Sequence, residues 1–439
     1  MYHLLKPLKG FIVHVFCLCS LYSFPLIICA DDATIQRIHM ENVQRFSNAL
    51  GQIQKYYVKP VDDKELFDNA IRGMLNGLDP HSAYLDEGSF KELQASTSGE
   101  FGGLGIEVTM EDGVVKVVTP LVGSPAFKAG IKAGDYIIKL GKQSVQGLSL
   151  RDAVDAMRGK EGVPLNLTIL RKGQSKPLNF TIVRKKITIA SVIGKLLADG
   201  YGYIRLTQFQ ALTNEDMEKE ITHLKEQNKG SLKGMILDLR NNPGGLLDSA
   251  IQVSDSFLDN NKAGKPKVIV YTQGRLAGSK FTALTKPGDI LNNAPIVVLI
   301  NNGSASAAEI VAGALKDNKR ALILGTRSFG KGSVQTVLPL DATRAIKLTT
   351  ALYYTPSGTS IQAQGIIPDI VIEEIEIPKA NDTKTDIFTG FSEANLNGHL
   401  INKNEKLKIK QDQIIDLLHE DYQLYAAFTI LRGLAIAKK

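Results

Sequence analysis

Twice in this chain a short apolar run ends in a glycine-rich turn and continues into a segment with helical periodicity. Residues 234–239 lead into Arg240-Asn241-Asn242-Pro243-Gly244-Gly245, and a helix-like segment follows over 246–258. Residues 295–301 lead into Asn302-Gly303, and beyond Ser306 the residues Ile310, Val311, Ala314 and Leu315 mark one buried helical side. A continuous apolar run suits a strand covered on both faces. Alternation of such strands with helices constrains the chain to an α/β layered core. Further strands are expected at 201–206, 267–271 and 321–325, and helices at 214–228 and 307–316.

The rest of the 439 residues is organised differently. Residues 33–75 read as helical, with Ile35, Ile38, Val43, Phe46, Leu50 and Ile53 recurring at helical spacing, then Leu66, Phe67, Ala70, Ile71, Met74 and Leu75. Pro60 and Gly77-Leu78-Asp79-Pro80 interrupt them. Residues 98–187 change to short β-type runs at 105–109, 114–118, 136–140, 165–170 and 178–183, with one helix-like segment at 149–157. Residues 376–408 are polar and read as a linker. Ile414, Leu417, Leu418, Tyr425, Phe428 and Leu431 then form an apolar helical face, suited to the chain's own core or to a second subunit. The domain plan is 1–30 leader, 31–97 helical region, 98–187 β-rich domain, 188–375 α/β core and 376–439 linker with a C-terminal helix.

Lys6 and Lys9, an uncharged stretch from Gly10 to Ala30, and Asp31-Asp32 read as an export signal. The stretch is long enough that an uncleaved anchor stays open, and either way the body lies outside the cytoplasm. Ile28 is too bulky before Cys29 for a lipoprotein site. All three cysteines (Cys17, Cys19, Cys29) sit in this leader. The remaining chain can therefore hold no disulfide, thiolate–zinc site or cysteine nucleophile, which suits a bacterial periplasm. The formal net charge is +7, or +5 without Lys6 and Lys9. Basic residues are scattered and tryptophan is absent, so nothing points to nucleic acid.

Two residues carry the chemistry. Ser306, at a helix start, meets free N–H groups and a dipole that favour a developing oxyanion. Ser306-Ala307-Ala308-Glu309 also fits a capping box, in which the serine merely caps. Lys331 lies in Phe329-Gly330-Lys331-Gly332-Ser333-Val334-Gln335. A lysine serves as a general base only when burial or a nearby positive charge lowers its pKa. If 331–337 runs as a strand, Lys331, Ser333 and Gln335 share one face, and Gln335 can orient the lysine. Backbone N–H groups of the turn ending at Gly245 can act as oxyanion donors. Asp238 and Arg240 read as a structural pair.

Several motifs together resemble the carboxyl-terminal processing (tail-specific) protease family of Ser/Lys peptidases. They are Leu78-Asp79-Pro80-His81-Ser82-Ala83-Tyr84-Leu85, Gly103-Leu104-Gly105-Ile106, residues 238–245, 303–309 and 329–335, and Thr355-Pro356-Ser357-Gly358. The resemblance covers roughly residues 35–375. It implies Ser306 as nucleophile in preference to Ser304, Lys331 as general base and Gln335 as the residue that positions it. The N–H groups of Gly245 and Ala307 are implied as the oxyanion hole. Ala308 departs from the serine many relatives carry, at a position that matches no catalytic role. No metal or cofactor is implied.

Gly102-Gly103-Leu104-Gly105-Ile106 resembles the carboxylate loop of PDZ domains, as do Ser124-Pro125-Ala126 and Ala129-Gly130-Ile131-Lys132-Ala133-Gly134-Asp135. Successive N–H groups of Gly103, Leu104, Gly105 and Ile106 would form a nest for a peptide's terminal carboxylate, and the next strand would accept the tail as an added strand. Arg158 is a candidate to approach that carboxylate or to couple this domain to the core, beside the plain alternative of a solvated arginine. The partners expected are protein substrates with free C-terminal tails; an adaptor protein and a homo-oligomer through the C-terminal helix are open, and a membrane partner only if the leader is uncleaved.

Rival readings fare worse. A histidine-dependent hydrolase would need His81, whose Asp-Pro-His-Ser setting reads as a turn; His39, His223, His399 and His419 offer less. A non-catalytic PDZ adaptor would not need Ser306, Lys331 and Gln335 together. A β-lactamase-like acylase needs S-x-x-K one helical turn apart, which Ser306 and Lys331 are not.

Overall fold

The computed structural model describes residues 39–121, 123–259, 265–375, 377 and 417–438. The leader expected at 1–30, nearly all of the linker expected at 376–408, and Ile414 lie outside these residues. The chain divides into two compact units, Met1–Pro60 and Val61–Lys439. The first contains α1 (Met40–Tyr56), which ends where Tyr57 turns extended ahead of Pro60. The division falls inside the span read from sequence as one helical region. The residues after Pro60 belong with the larger unit.

That unit opens with α2 (Asp63–Asn76), capped by Asp62, which accepts the Lys64 N–H. Then come β1 (Ala83–Leu85), α3 (Glu87–Ser98), capped by Asp86, and β2 (Glu100–Gly103). The β-rich domain follows as β3 (Ile106–Glu111), β4 (Val114–Pro120), α4 (Pro125–Ala129), β5 (Tyr136–Leu140), β6 (Gln143–Ser144), α5 (Leu150–Met157), β7 (Pro164–Leu170) and β8 (Leu178–Val183). Its antiparallel sheet runs β3-β4-β5-β7-β8, with β6 on β5. The Ser149 hydroxyl and the Asp152 carboxylate close a capping box on α5. A short ribbon of β2 with β9 (Lys185–Thr188) carries the chain in and out of this domain.

The core comprises β10 (Val192–Leu197), β11 (Tyr201–Leu206), α6 (Thr213–Gln227), β12 (Met235–Asp238), α7 (Leu247–Asp255), β13 (Val268–Gly274), β14 (Phe281–Leu284), β15 (Ile296–Ile300) and α8 (Ala307–Asp317). It continues with β16 (Ala321–Gly325), β17 (Ser333–Pro339), β18 (Ala345–Tyr354), β19 (Ile370–Val371) and the C-terminal helix, α9 (Tyr422–Ala437). One sheet has the order β10-β11-β12-β15-β16-β19, parallel from β11 onward, with β10 antiparallel at one edge. Its strands read as unbroken apolar runs because both faces are covered. Ile296, Val298 and Ile300 pack with Met217, Val253 and Val311 of the helices on one face. Val297 and Leu299 pack with Leu424, Phe428 and Leu431 of α9 on the other.

This settles the destination of the C-terminal helix. Leu424, Ala427, Phe428 and Leu431 are buried on the chain's own sheet. Of the two readings of that face, this is the one in which it docks on the chain's own core: the sheet's second face needs a cover, and α9 is that cover.

A second sheet runs β1-β18-β13-β14, with β17 also on β18. β1 lies ahead of the β-rich domain in sequence yet pairs with β18, Ala83 opposite Lys347 and Leu85 opposite Ala345. The β-rich domain is therefore an excursion between two pieces of one sheet.

Candidate active site

Both glycine-rich turns sit at the C-terminal ends of neighbouring parallel strands, β12 and β15, where α/β sheets open a crevice. Side-chain amides and one backbone bond knit them together. The Asn241 N–H donates to Asn301 Oδ1 at 2.8 Å, Asn301 Nδ2 donates to Asn241 Oδ1 at 2.9 Å, and the Ala305 N–H donates to the Asn242 carbonyl at 2.9 Å. Close approach explains the glycines. A Cβ on Gly244 would fall 2.8 Å from the Ser306 Cβ, and one on Gly245, at φ +144°, would fall 2.1 Å from the Phe209 carbonyl oxygen.

The structure separates the two serines that local sequence left equal. Ser304 Oγ donates to the Leu239 carbonyl at 2.8 Å and accepts the Asn301 N–H, so it holds the turn. Ser306 has φ +54° and ψ −113°, a strained conformation for a side-chain-bearing residue. Its N–H donates to Glu309 Oε2 at 2.8 Å, which is one half of the capping box. Its Oγ lies 2.9 Å from the Tyr353 hydroxyl. No hydrogen bond among the described residues uses the N–H of Gly245 or of Ala307, the two candidate oxyanion donors.

Lys331 sits between the two glycines, half-buried, and its Nζ donates to Gln335 Oε1 at 2.6 Å. The strand begins at Ser333 rather than at Lys331, and a bulge at Val334/Gln335 breaks the expected alternation. The three side chains meet nonetheless, because the bulge turns Gln335 back and its Nε2 donates to Ser333 Oγ at 2.9 Å. Burial lowers the pKa of Lys331, the Lys347 ammonium lowers it further, and Glu309 opposes both. This is the setting a lysine needs to act as a base. Ser306 Oγ and Lys331 Nζ make no hydrogen bond to each other here, each being held by Tyr353 and Gln335 respectively.

Three neighbours escaped the sequence reading. Tyr353 belongs to a strand that was not anticipated. Glu309 was seen only as half of a cap, yet its carboxylate also accepts N–H groups from the loop of Lys331. The turn before β1 supports Gln335, whose Nε2 donates to Thr349 Oγ1 at 3.3 Å; Thr349 Oγ1 donates to Asp79 Oδ1 at 3.0 Å. Asp79 also accepts the N–H groups of His81 and Ser82, so the Asp-Pro-His-Ser segment is the turn it reads as. Burial and the Lys331 charge hold the His81 imidazole below its ordinary pKa. The Asp238–Arg240 pair forms at 2.7 Å, and Arg240 also grips Asp421 at the start of α9 at 2.6 Å.

In the β-rich domain, the carbonyls of Leu104 and Gly105 accept the N–H groups of Ala126 and Leu121. A trans peptide points its N–H opposite to its C=O. The N–H groups of Gly105 and Ile106 therefore face away from these partners, as a carboxylate nest requires. Gly105 has φ +72°, and a Cβ there would lie 2.4 Å from that of Ser124. Gly103 ends β2, and Ile106 opens β3 opposite Pro120. Arg158 stacks its guanidinium over Phe101, 5.3 Å from the ring centre, and faces Glu92 of α3. It lines a cavity of about 430 Å³ together with Gln208, Gln210 and Lys347 of the core. That position fits the coupling reading of Arg158 better than the carboxylate-binding one. Among the described residues, no cluster of side chains is arranged to hold a metal ion.

A PDZ-type domain set into an α/β core, with a strained serine at the end of a parallel strand and a half-buried lysine in a neighbouring loop, is the architecture of a PDZ-bearing peptidase. Residues 200–372 match the model of peptidase family S41, residues 102–182 that of the PDZ domain, and residues 28–89 that of the CtpB N-terminal domain. A carboxy-terminal-processing protease of Bartonella bacilliformis is 45% identical over 422 residues, covering 94% of this chain and 93% of that one. The carboxy-terminal processing protease CtpA of Bacillus subtilis is 37% identical over 75% of this chain and 68% of its own. Among solved structures, a photosystem II D1 C-terminal processing protease is 32% identical over 75% of this chain and 86% of that chain, with a TM-score of 0.44. The chain belongs to the carboxy-terminal processing proteases of peptidase family S41.

Proposed function

We propose that this protein is an exported serine endopeptidase that binds the C-terminal tails of protein substrates in its PDZ groove and cuts them through a Ser306–Lys331 acyl-enzyme. One observation carries the reading. Glu309 Oε2 accepts the N–H of Ser306 at 2.8 Å and the N–H of Lys331 at 2.9 Å, so both residues meet on one carboxylate oxygen.

The reaction follows from the groups present. In this reading the Ser306 hydroxyl leaves Tyr353 for Lys331, whose lowered pKa makes the free amine accessible. Lys331 takes the proton, Ser306 Oγ attacks the scissile carbonyl, and the N–H groups of Gly245 and Ala307 stabilise the oxyanion. Lys331 returns the proton to the leaving amine, and water then releases the acyl group by the same path. Gln335 holds the lysine in place throughout. The tail's carboxylate lies on the N–H groups of residues 103–106, and Arg158 links the occupied PDZ domain to the core.

The test uses the chain from Asp31 onward with a protein bearing an apolar C-terminal tail. Intact mass of both partners is followed for the parent, Ser306→Ala and Lys331→Ala. Loss of tail mass with the parent alone supports the reading. Cleavage that survives Lys331→Ala refutes the lysine base, and tail binding without cleavage by the parent favours a PDZ adaptor. Export is checked separately, by fractionation and by N-terminal sequencing of the mature protein.

A further inference from the structure

We propose that Glu309 is a positioning residue for the cleavage reaction, one carboxylate that fixes the backbone bearing Ser306 to the backbone bearing Lys331. The inference rests on the Ser306–Lys331 reading and deepens it. Glu309 is fully buried. Its Oε2 takes the two N–H groups already described. Its Oε1 accepts the Ser328 hydroxyl at 2.6 Å and the Gly330 N–H at 2.7 Å. A helix cap needs only the Ser306 contact. The other three bonds reach a loop 19 to 22 residues further along the chain.

The loop is gripped from its far side as well. Ser328 Oγ accepts the Ile366 N–H at 2.6 Å. A Cβ on Gly332 would fall 2.3 Å from the Gln362 nitrogen, so residues 361–366 press the loop against Glu309. Only a carboxylate with the reach of glutamate satisfies all four donors. Glutamine would set an NH₂ against N–H groups, and aspartate is one methylene short.

The same carboxylate acts on the Lys331 ammonium. The charged and titratable groups around that ammonium are Lys347 from β18, Glu309 from α8, and His81 beside Asp79 from the turn before β1. Burial and Lys347 lower the Lys331 pKa, and Glu309 raises it. Removing the Glu309 charge lowers it further, so the free base persists to lower pH.

The experiment compares the full chain with Glu309→Gln, Glu309→Asp and Lys331→Ala. It measures kcat, KM and the pH profile on a tailed protein, with thermal melts alongside. Glu309→Gln is expected to keep KM within about twofold and lose about 10²-fold in kcat, the cost of a misplacement near 1 Å. Its acid limb of kcat/KM moves to lower pH. Glu309→Asp keeps the charge, so its acid limb stays while kcat falls about tenfold. An unmoved acid limb in folded Glu309→Gln, or parental kcat in Glu309→Asp, overturns the proposal; the second result does so even if the glutamine variant does not fold. An active Lys331→Ala removes the Ser/Lys reading and this inference with it. An inactive Lys331→Ala beside an unmoved Glu309→Gln limb removes this inference alone.

Discussion

The hydroxyls of Ser306 and Tyr353 meet at 2.9 Å, and the Tyr353 N–H donates to the Gly332 carbonyl at 2.8 Å. One residue of β18 thus touches both halves of the site. Burial raises the Tyr353 pKa, so the phenol is neutral, and in the proposed mechanism it competes with Lys331 for the serine hydroxyl. Replacing Tyr353 with Phe removes one hydrogen bond of about 1 kcal/mol that holds Oγ aside. Turnover of a tailed substrate is expected to rise by up to about fivefold. A loss beyond tenfold would instead make the phenol part of the transition state.

Burial, and after it the Lys347 ammonium, keeps Lys331 below its ordinary pKa. In Lys347→Gln that pKa rises, less free amine is present at pH 7, and the acid limb of the rate profile moves to higher pH. The rate at pH 7 is expected to fall about two- to fivefold. The linkage to stability has a definite sign. Unfolded Lys331 binds more protons than the folded residue between the lowered folded pKa and the ordinary lysine value, so its contribution to stability rises with pH across that window. Kinetics over pH 6–10 checks the first statement, and an unmoved limb would remove Lys347 from the account.

Asp79 supports Gln335 through Thr349. Burial works to raise the Asp79 pKa, but hydrogen bonds from Ser82, His81 and Thr349 outweigh it and hold the group at about 2. Its stabilising contribution is present above its ordinary pKa and is lost as pH falls through about 2. Asp79→Ala should lower kcat about tenfold with little change in KM, because the lysine loses its support rather than the substrate its groove. A rise in KM alone would argue against this chain of support.

Gly105 has no room for a side chain at φ +72°. Gly105→Ala should raise KM for tailed substrates at least tenfold, or about 1.4 kcal/mol, by turning N–H groups away from the tail carboxylate. Anisotropy of a labelled tail peptide reads this directly. Parental affinity in a folded variant would take the carboxylate site away from this loop.

The C-terminal helix is part of the core's lower layer, and Arg240 binds it to the turn that ends at Gly245. Phe428→Ala should destabilise the protein by about 3–4 kcal/mol through the cavity it leaves. Asp421→Ala should cost about 2 kcal/mol by stripping a buried guanidinium of one partner. Urea unfolding measures both. Wild-type stability in either variant would mean that α9 is not seated as described.

The layered α/β core and the β-rich domain were legible in the sequence because each is written in local terms. Continuous apolar runs mark strands covered on both faces, and glycines mark turns with positive φ or close backbone approach. Several element ends agree to within a few residues for the same reason: the segment expected to begin at Ser149 is α5, which Ser149 caps. Other features have no local signature. Ser304 and Ser306 differ only in what surrounds them, and Leu239, sixty-five residues upstream of Ser304, claims one of the two. Tyr353 and Asp79 reach the site because β18 joins β17 on one side and β1 on the other. The C-terminal helix shows its apolar face in sequence, but only the uncovered lower face of the parallel sheet decides what that face meets. Local sequence fixes conformation within a turn of helix or strand; contacts between segments tens to hundreds of residues apart depend on which surfaces the completed layers leave to be buried.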